Sequence, residues 1–307
     1  VIRLALRVAR ADAEEVLADL LELAPAGVEE IELPADDGQE AQVEYAVYGP
    51  PGELPELPDL QALAGGVQVQ ISGSEVPDDW GERWKRFHKP VLIEPPVSTS
   101  EREADAGTPS PATQSVAPLH IRPPWEPPCE RDEAIEIVID PAQAFGTGAH
   151  ATTRLCLELL LALAVAEPAR GAVLDVGAGS GVLAIAAAKL GYAPVLALDN
   201  DRLSVQAIED NARGAQVAVQ ARLFDLRREQ LPADCPLLLA NLLRPLLLDL
   251  LDRIESPGGR APNHLIASGL LREEADEVAA AYAERFTLRE RERRECGEWA
   301  ALWLTSD

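Results

Sequence analysis

The first eight residues alternate, with Ile2, Leu4, Leu6 and Val8 on one face, which is the period of a half-buried strand. ADAEEVLADLLELA then spaces its apolar residues as a helix does, and it stops at Pro25 and Gly27. VEEIELP and QVEYAVYG read as two more strands around the turn-rich ADDGQ, LPDLQALAGG as a short helix, and VQVQIS at 67–72 as a fourth strand. The order β-α-β-β-α-β over residues 1–75 is that of a ferredoxin-like plait, a small α+β domain. That architecture hosts many functions and decides none.

DDWGERWKRFHKP sets Trp80, Trp84, Phe87 and His88 at helical spacing, so one face of a connecting helix is aromatic, as a core or an inter-domain seam requires. Residues 97–118 are rich in Ser, Thr, Pro and charge and lack an apolar period, which predicts a mobile insertion. With the irregular IRPPWEPPCERDE, residues 76–130 read as a linker, and EIVIDP opens a second domain over 131–307. From residue 171 the pattern becomes strand-helix alternation. AVLDVG, PVLALD, VAVQARL, PLLLANLL and HLIASG are strands, with helices at about 182–190, 202–213, 245–254 and 271–284. RFTLRERER and EWAALWLT close the chain as an antiparallel pair. The fold class is therefore α/β, a mostly parallel Rossmann-like sheet covered on both faces, with ligands expected at the carboxyl ends of its first strands.

A chain of 307 residues suits two such domains. The longest apolar run, LCLELLLALAVA, carries a Glu and is too short for a bilayer, and VIRLALRVAR lacks the order of a signal peptide, so a cytoplasmic protein that engages no membrane is expected. Cys129, Cys156, Cys235 and Cys296 form no C-x-x-C pair, which argues against zinc, any other metal site or a disulfide framework. Charge is uneven. Residues 1–79 hold eighteen acidic and three basic residues, a net −15 out of −25 for the whole chain. Such a field repels nucleic acid, and it either keeps the surface solvated or attracts a basic partner.

The chemistry concentrates in AVLDVGAGSGVLAIAAAKLG, which is strand, glycine turn and helix. Gly177, Gly179 and Gly181 are spaced G-x-G-x-G, and Val182 stands where a dinucleotide fingerprint needs glycine, so a nicotinamide oxidoreductase is disfavoured. Glycines here let backbone approach a ligand closely. Asp199 ends the next strand, where a carboxylate can accept both hydroxyls of a ribose; capping the following helix is its alternative task, for which Asp201 and Ser204 compete. Asp175 either takes hydrogen bonds from the turn or faces a ligand ammonium. The acid, the glycines and the strand-end acid together read as a site for S-adenosylmethionine. Asn241 ends the fourth strand shortly before Pro245, a position from which carbonyl oxygens can be presented to a nitrogen nucleophile. Upstream, Phe145, Gly146, Thr147 and Gly148 supply a loop able to fold over the donor, and Thr152 or Thr153 is the expected N-cap of the helix that follows. His150 is either a base or a side chain that holds the loop.

DPAQAFGTGAHATTRLCLELL, LDVGAGSGVLAIAAAKLG, ANLLRPL and GEWAAL, in that order and spacing, resemble the ribosomal protein L11 methyltransferases over nearly the whole chain. The resemblance implies a class I methyltransferase domain preceded by a ferredoxin-like domain that docks the substrate protein. It implies methylation of lysine side chains and the N-terminal amine of ribosomal protein L11, with S-adenosylmethionine as cofactor and donor-binding residues at Thr153, Gly177, Asp199 and Asn241. Asn241 and His150 are the catalytic candidates, a monomer is expected, and a basic ribosomal protein gives the acidic front domain a partner. Three departures bear on the acceptor: Ala151 stands where the family has Pro, Asn241 to Leu246 is one residue short, and 97–118 interrupts the linker. The rival readings are methylation of another protein or a small amine, and a catalytically silent S-adenosylmethionine-binding protein.

Overall fold

The structure, a computed structural model, describes residues 2–10, 13, 16, 20, 28–33, 42–49, 70–75, 88–96, 116–140, 150–231, 235–254 and 261–306. It divides into two compact units, Val1–Phe87 and His88–Asp307.

In the first unit β1 (Ile2–Ala9), β2 (Glu29–Leu33), β3 (Gln42–Gly49) and β4 (Gln70–Glu75) form an antiparallel sheet in the order β2-β3-β1-β4. Alternation sorts its residues. Leu6 and Val8 join Val43, Tyr45 and Val47 in one buried cluster, together with Ala13, Val16 and Leu20, which are helical and one or two turns apart. The other face of β1 carries Arg3 and Arg7, both bonded to the buried Glu44 of β3. This strand order is that of the ferredoxin-like plait; the helix expected at 57–66 and the aromatic stripe up to Phe87 lie outside the described residues.

The second unit opens with a sheet that the sequence pattern did not announce. β5 (Val91–Ile93), β6 (Leu119–Arg122) and β7 (Ile135–Val138) form three strands, with β5 antiparallel and β7 parallel to β6. Strands of three and four residues beside Pro-rich segments are too short to show a period, and residues 97–115 between them lie outside the described set.

The main body runs α1 (Ala151–Ala166), β8 (Val173–Val176), α2 (Val182–Lys189), β9 (Val195–Asp199), α3 (Arg202–Gly214), β10 (Val219–Leu223), β11 (Leu237–Asn241), α4 (Arg244–Ile254), β12 (His264–Leu271), a 3-10 turn at Arg272–Glu274, α5 (Ala275–Phe286), β13 (Arg289–Cys296) and β14 (Trp299–Thr305). Its seven-stranded sheet has the order β10-β9-β8-β11-β12-β14-β13, parallel except at β14. The near-continuous apolar runs of β8 and β11 follow from burial on both faces. Val173, Leu239 and Ile266 pack with α1, α2 and α3, whereas Leu174, Leu238 and Leu265 pack with α4 and α5. Eleven of the sixteen residues of α1 are buried, so the longest apolar run is a core helix. Among the described residues no helix is long and apolar enough to cross a membrane. The edge strand β13 alternates Arg and Glu, with Arg293 paired to Glu290 and Asp276, and Arg294 to Glu292 and Glu158; fixed charge on an edge discourages further strand addition.

After β8 the chain adds β9 and β10 on one side, then returns to add β11 on the other. That reversal opens a crevice at the carboxyl ends of β8 and β11, where doubly wound sheets bind ligands.

Candidate active site

The turn after β8 borders this crevice. Gly177, Gly179 and Gly181 have φ of +71°, +53° and +81°, a region that side chains disfavour, so three glycines are what such a turn needs. The N–H groups of Gly177 and Ala178 both donate to the Leu198 carbonyl, at 2.9 and 3.0 Å, which ties the turn to β9. A Cβ added at Gly177 would lie 2.3 Å from Leu242 Cδ2, and one at Gly181 would lie 3.2 Å from the side chain of Ile208. The room beside these two glycines is thus taken by the protein's own side chains, which adds a packing reason to the expected close approach of a ligand.

Two acids flank the turn in different ways. Asp199, at the tip of β9, accepts Gly179 N–H at 2.8 Å and Asp201 N–H at 3.0 Å. The helix after it is capped by Asp201, whose carboxylate accepts Leu203 N–H at 3.0 Å, so Asp199 is released from that task. Burial pushes the Asp199 carboxyl above the usual carboxylate range, against the N–H groups of Asp201 and Gly179. Asp175, fully buried on β8, accepts Ala184 N–H in the first turn of α2 at 3.0 Å, and its Oδ1 has no partner. Burial pushes its carboxyl up to about 7, with the Ala184 N–H opposing and the nearby Asp199 charge adding.

On the other side of the crevice, Asn241 at the tip of β11 donates from Nδ2 to Thr153 Oγ1 at 3.3 Å. Thr153 is buried in the first turn of α1, so the start of that helix meets the end of β11. The N-cap of α1 is His150, which corrects the expected Thr152 or Thr153: Nδ1 of His150 accepts Thr152 N–H at 3.4 Å and lies 2.8 Å from Thr152 Oγ1. An imidazole nitrogen supplies the acceptor that Ser, Thr, Asp or Asn usually provides. The ring stands edge-on to Trp299 at the start of β14, with centroids 5.3 Å apart, and burial lowers its pKa, so the neutral form that caps the helix is favoured. Phe145, Gly146, Thr147 and Gly148 lie outside the described residues.

Sequence reasoning passed over four residues. Asn211 of α3 is buried; it donates to the Ser180 carbonyl at 2.9 Å and accepts Asp140 N–H at 3.0 Å, bridging the glycine turn to the end of the β7 segment. A polar residue on the apolar face of an otherwise amphipathic helix was its available signal. Leu242, Arg244 and Gly269 hold the Asn241 edge through tertiary contacts that leave no local mark. Among the described residues, no group of His, Cys, Asp and Glu is arranged to hold a metal ion.

A ribosomal protein L11 methylase from Lactobacillus delbrueckii subsp. bulgaricus is similar in structure, with a TM-score of 0.54 and 32% identity, over 61% of this chain and 94% of that one. The doubly wound sheet and its glycine-turn crevice thus define a Rossmann-like methyltransferase fold. A model of the family described as ribosomal protein L11 methyltransferase (PrmA) matches residues 108–306. The ribosomal protein L11 methyltransferase of Syntrophotalea carbinolica is 36% identical over 83% of this chain and 79% of its own length. That of Bordetella parapertussis is 47% identical over 54% of this chain, and the chain spans only about half, 52%, of that relative. The chain belongs to the ribosomal protein L11 methyltransferase family.

Proposed function

We propose that this chain transfers methyl groups from S-adenosylmethionine to amines of ribosomal protein L11, on lysine side chains and at the N-terminus. The observation that carries this reading is the meeting, at one switch point, of the glycine turn, the strand-end Asp199 and the strand-end Asn241 bonded to Thr153.

The residues present fit the donor. The Asp199 carboxylate accepts the backbone N–H groups of Gly179 and Asp201, one on each oxygen, and is also bonded by the Asn200 backbone, which fixes its plane while leaving acceptor capacity for a ribose hydroxyl. Asp175, two residues before the first glycine, carries a buried carboxyl oxygen without a partner, and a cationic ligand beside it would draw its pKa down from about 7 and stabilise the ionised form. Gly177, Gly179 and Gly181 complete the donor side, and Thr153 and Asn241 border both the donor and the acceptor amine. Phe145, Gly146 and Thr147 belong to the same reading. When bound, S-adenosylmethionine supplies an electrophilic methyl group on a sulfonium.

The protein's task is alignment and exclusion of water. A lysine ammonium has no lone pair and an ordinary pKa of about 10.4, so it must shed a proton before it attacks. Asn241 gives its amide N–H to Thr153 and keeps its carbonyl oxygen as an acceptor that orients the amine. His150 holds the start of α1 through Nδ1 and acts as a positioning residue. The acidic front domain offers L11, a basic protein, a docking surface, with added salt slowing their encounter. We place the reaction in the cytoplasm, by a monomer.

Incubation of the purified chain with L11 and isotopically labelled S-adenosylmethionine, followed by peptide mass spectrometry, is expected to place label on lysine and α-amino groups. Asn241→Ala should abolish that label while calorimetry still detects S-adenosylhomocysteine. No heat for that nucleoside with the wild type, together with no label on L11, would overturn the reading.

A further inference from the structure

Leu242 follows Asn241 directly and is held between two glycines. Its main chain lies on Gly269: a Cβ there would come 2.5 Å from the Leu242 carbonyl oxygen and 2.8 Å from its carbonyl carbon. Gly269 has φ +83° at a register shift between Ser268 and Leu270, where β12 bulges against β14. The Leu242 N–H donates to the Ser268 carbonyl at 3.0 Å, so the first residue past β11 is pinned to β12. Its side chain points the other way and fills the space beside Gly177, with Cδ2 2.3 Å from where a Cβ would stand. The next but one residue, Arg244, bonds Glu274 at 3.2 Å and Glu277 at 3.0 Å, and Glu274 accepts Leu271 N–H at 2.9 Å, so the short edge is also braced to the end of β12 and to α5.

Resting on the proposed reading of the site, we infer that Leu242 is a positioning residue that couples the glycine turn to the Asn241 edge, and that Gly269 is the bulge glycine that gives it its place. Any displacement of the turn is passed through the Leu242 side chain to the peptide beside Asn241. Any displacement of that peptide returns to the turn. The donor half and the acceptor half of the crevice are then one mechanical unit, set by contacts that a side chain at either glycine would break.

A double-mutant cycle on the full chain tests this, with S-adenosylhomocysteine affinity from calorimetry and kcat with L11 as readouts. Gly177→Ala meets the Leu242 side chain, so it should weaken nucleoside binding about a hundredfold alone and about tenfold in a Leu242→Ala background, where only the backbone strain is left. Leu242→Ala by itself should lower kcat about tenfold, and Leu242→Met, which refills the space, should recover most of the loss. Gly269→Ala pushes on the Leu242 peptide and, through its side chain, on the turn. It should lower kcat more than thirtyfold and weaken nucleoside binding about tenfold. That loss of binding should vanish in the Leu242→Ala background, which general destabilisation does not produce. Additive effects of Gly177→Ala and Leu242→Ala would overturn the coupling, even if Gly269→Ala fails to fold. Absence of nucleoside binding by the wild type would instead overturn the reading of the site itself.

Discussion

The two lips of the crevice are built by different means. The turn after β8 is tied to the Leu198 carbonyl by two of its own N–H groups, those of Gly177 and Ala178, with the Asp199 carboxylate on the Gly179 N–H and the Asn211 amide on the Ser180 carbonyl added from side chains. The Asn241 edge is held largely through side chains: Thr153 on Asn241, Leu242 against Gly177, and Arg244 on Glu274 and Glu277. Main-chain hydrogen bonds leave this turn indifferent to most substitutions beyond its glycines, Asp199 and Asn211. Side-chain struts can be removed one at a time. On the proposed reading the glycine-turn lip takes the donor and should fail first in binding. The Asn241 lip takes the acceptor and should fail first in turnover, with Leu242 as the strut that links the two.

The largest effect that sharpens this contrast is expected at Asn241. Its replacement by Ala removes the group proposed to orient the amine, together with the strut to Thr153, and kcat should fall about a thousandfold with nucleoside affinity within tenfold. Stopped-turnover assays with L11 measure the first quantity and calorimetry the second. Loss of affinity with kcat retained would invert the assignment of the two lips. Asp199→Ala is the next largest. It deletes the proposed acceptor for the ribose hydroxyls and leaves the Gly179 N–H without its carboxylate, so nucleoside binding should weaken about a hundredfold. Asp199→Asn keeps one acceptor oxygen and should lie between the two.

What was legible in the sequence divides along the same line. Gly177, Gly179, Gly181 and Asp199 announce themselves because a turn with positive φ and a strand-end acid are local demands, readable within about twenty residues. The alternation from Val173 to Thr305 was equally plain, since a parallel sheet buried on both faces leaves apolar runs between amphipathic helices. The supports of the acceptor lip were not legible. Leu242 and Gly269 are distant in sequence and meet only when β11 and β12 pair, and Arg244 reaches Glu277 across two elements. β5 and β6 were missed because short strands carry no period, and the cap of α1 because histidine is outside the usual set.

A smaller effect separates the two acids of the donor lip. The Asp175 carboxyl, raised by burial to about 7, keeps its proton in the native state over a range where the unfolded chain has lost it. The native state therefore binds more protons from about pH 4 to pH 7, and stability from this group falls as pH rises through that window. Asp199 on the neighbouring strand and the buried Cys156 of α1 are the titratable groups that face it. Asp175→Asn should remove the dependence: the difference in unfolding free energy between mutant and wild type should change by about 2 kcal/mol between pH 5.5 and pH 8. Parallel denaturation curves for the two proteins at both pH values would show that Asp175 ionises as an ordinary carboxyl.

The smallest effect is expected at His150, and its sign is opposite. Burial lowers the pKa of this imidazole, and Nδ1 must be unprotonated to accept the Thr152 N–H. In the unfolded chain the ring takes up a proton near pH 6.5, so stability from this group is present above that pH and fades as pH falls below it. His150→Ala loses a helix cap worth about 1 kcal/mol at pH 8, and the deficit should shrink towards pH 5.5. If His150 only positions α1 and the Thr153 strut that starts there, kcat should fall less than threefold and its pH profile with L11 should keep the wild-type shape. A profile that loses its acidic limb in the mutant would make His150 a proton acceptor in the reaction, and the acceptor lip would then include a titrating group as well as struts.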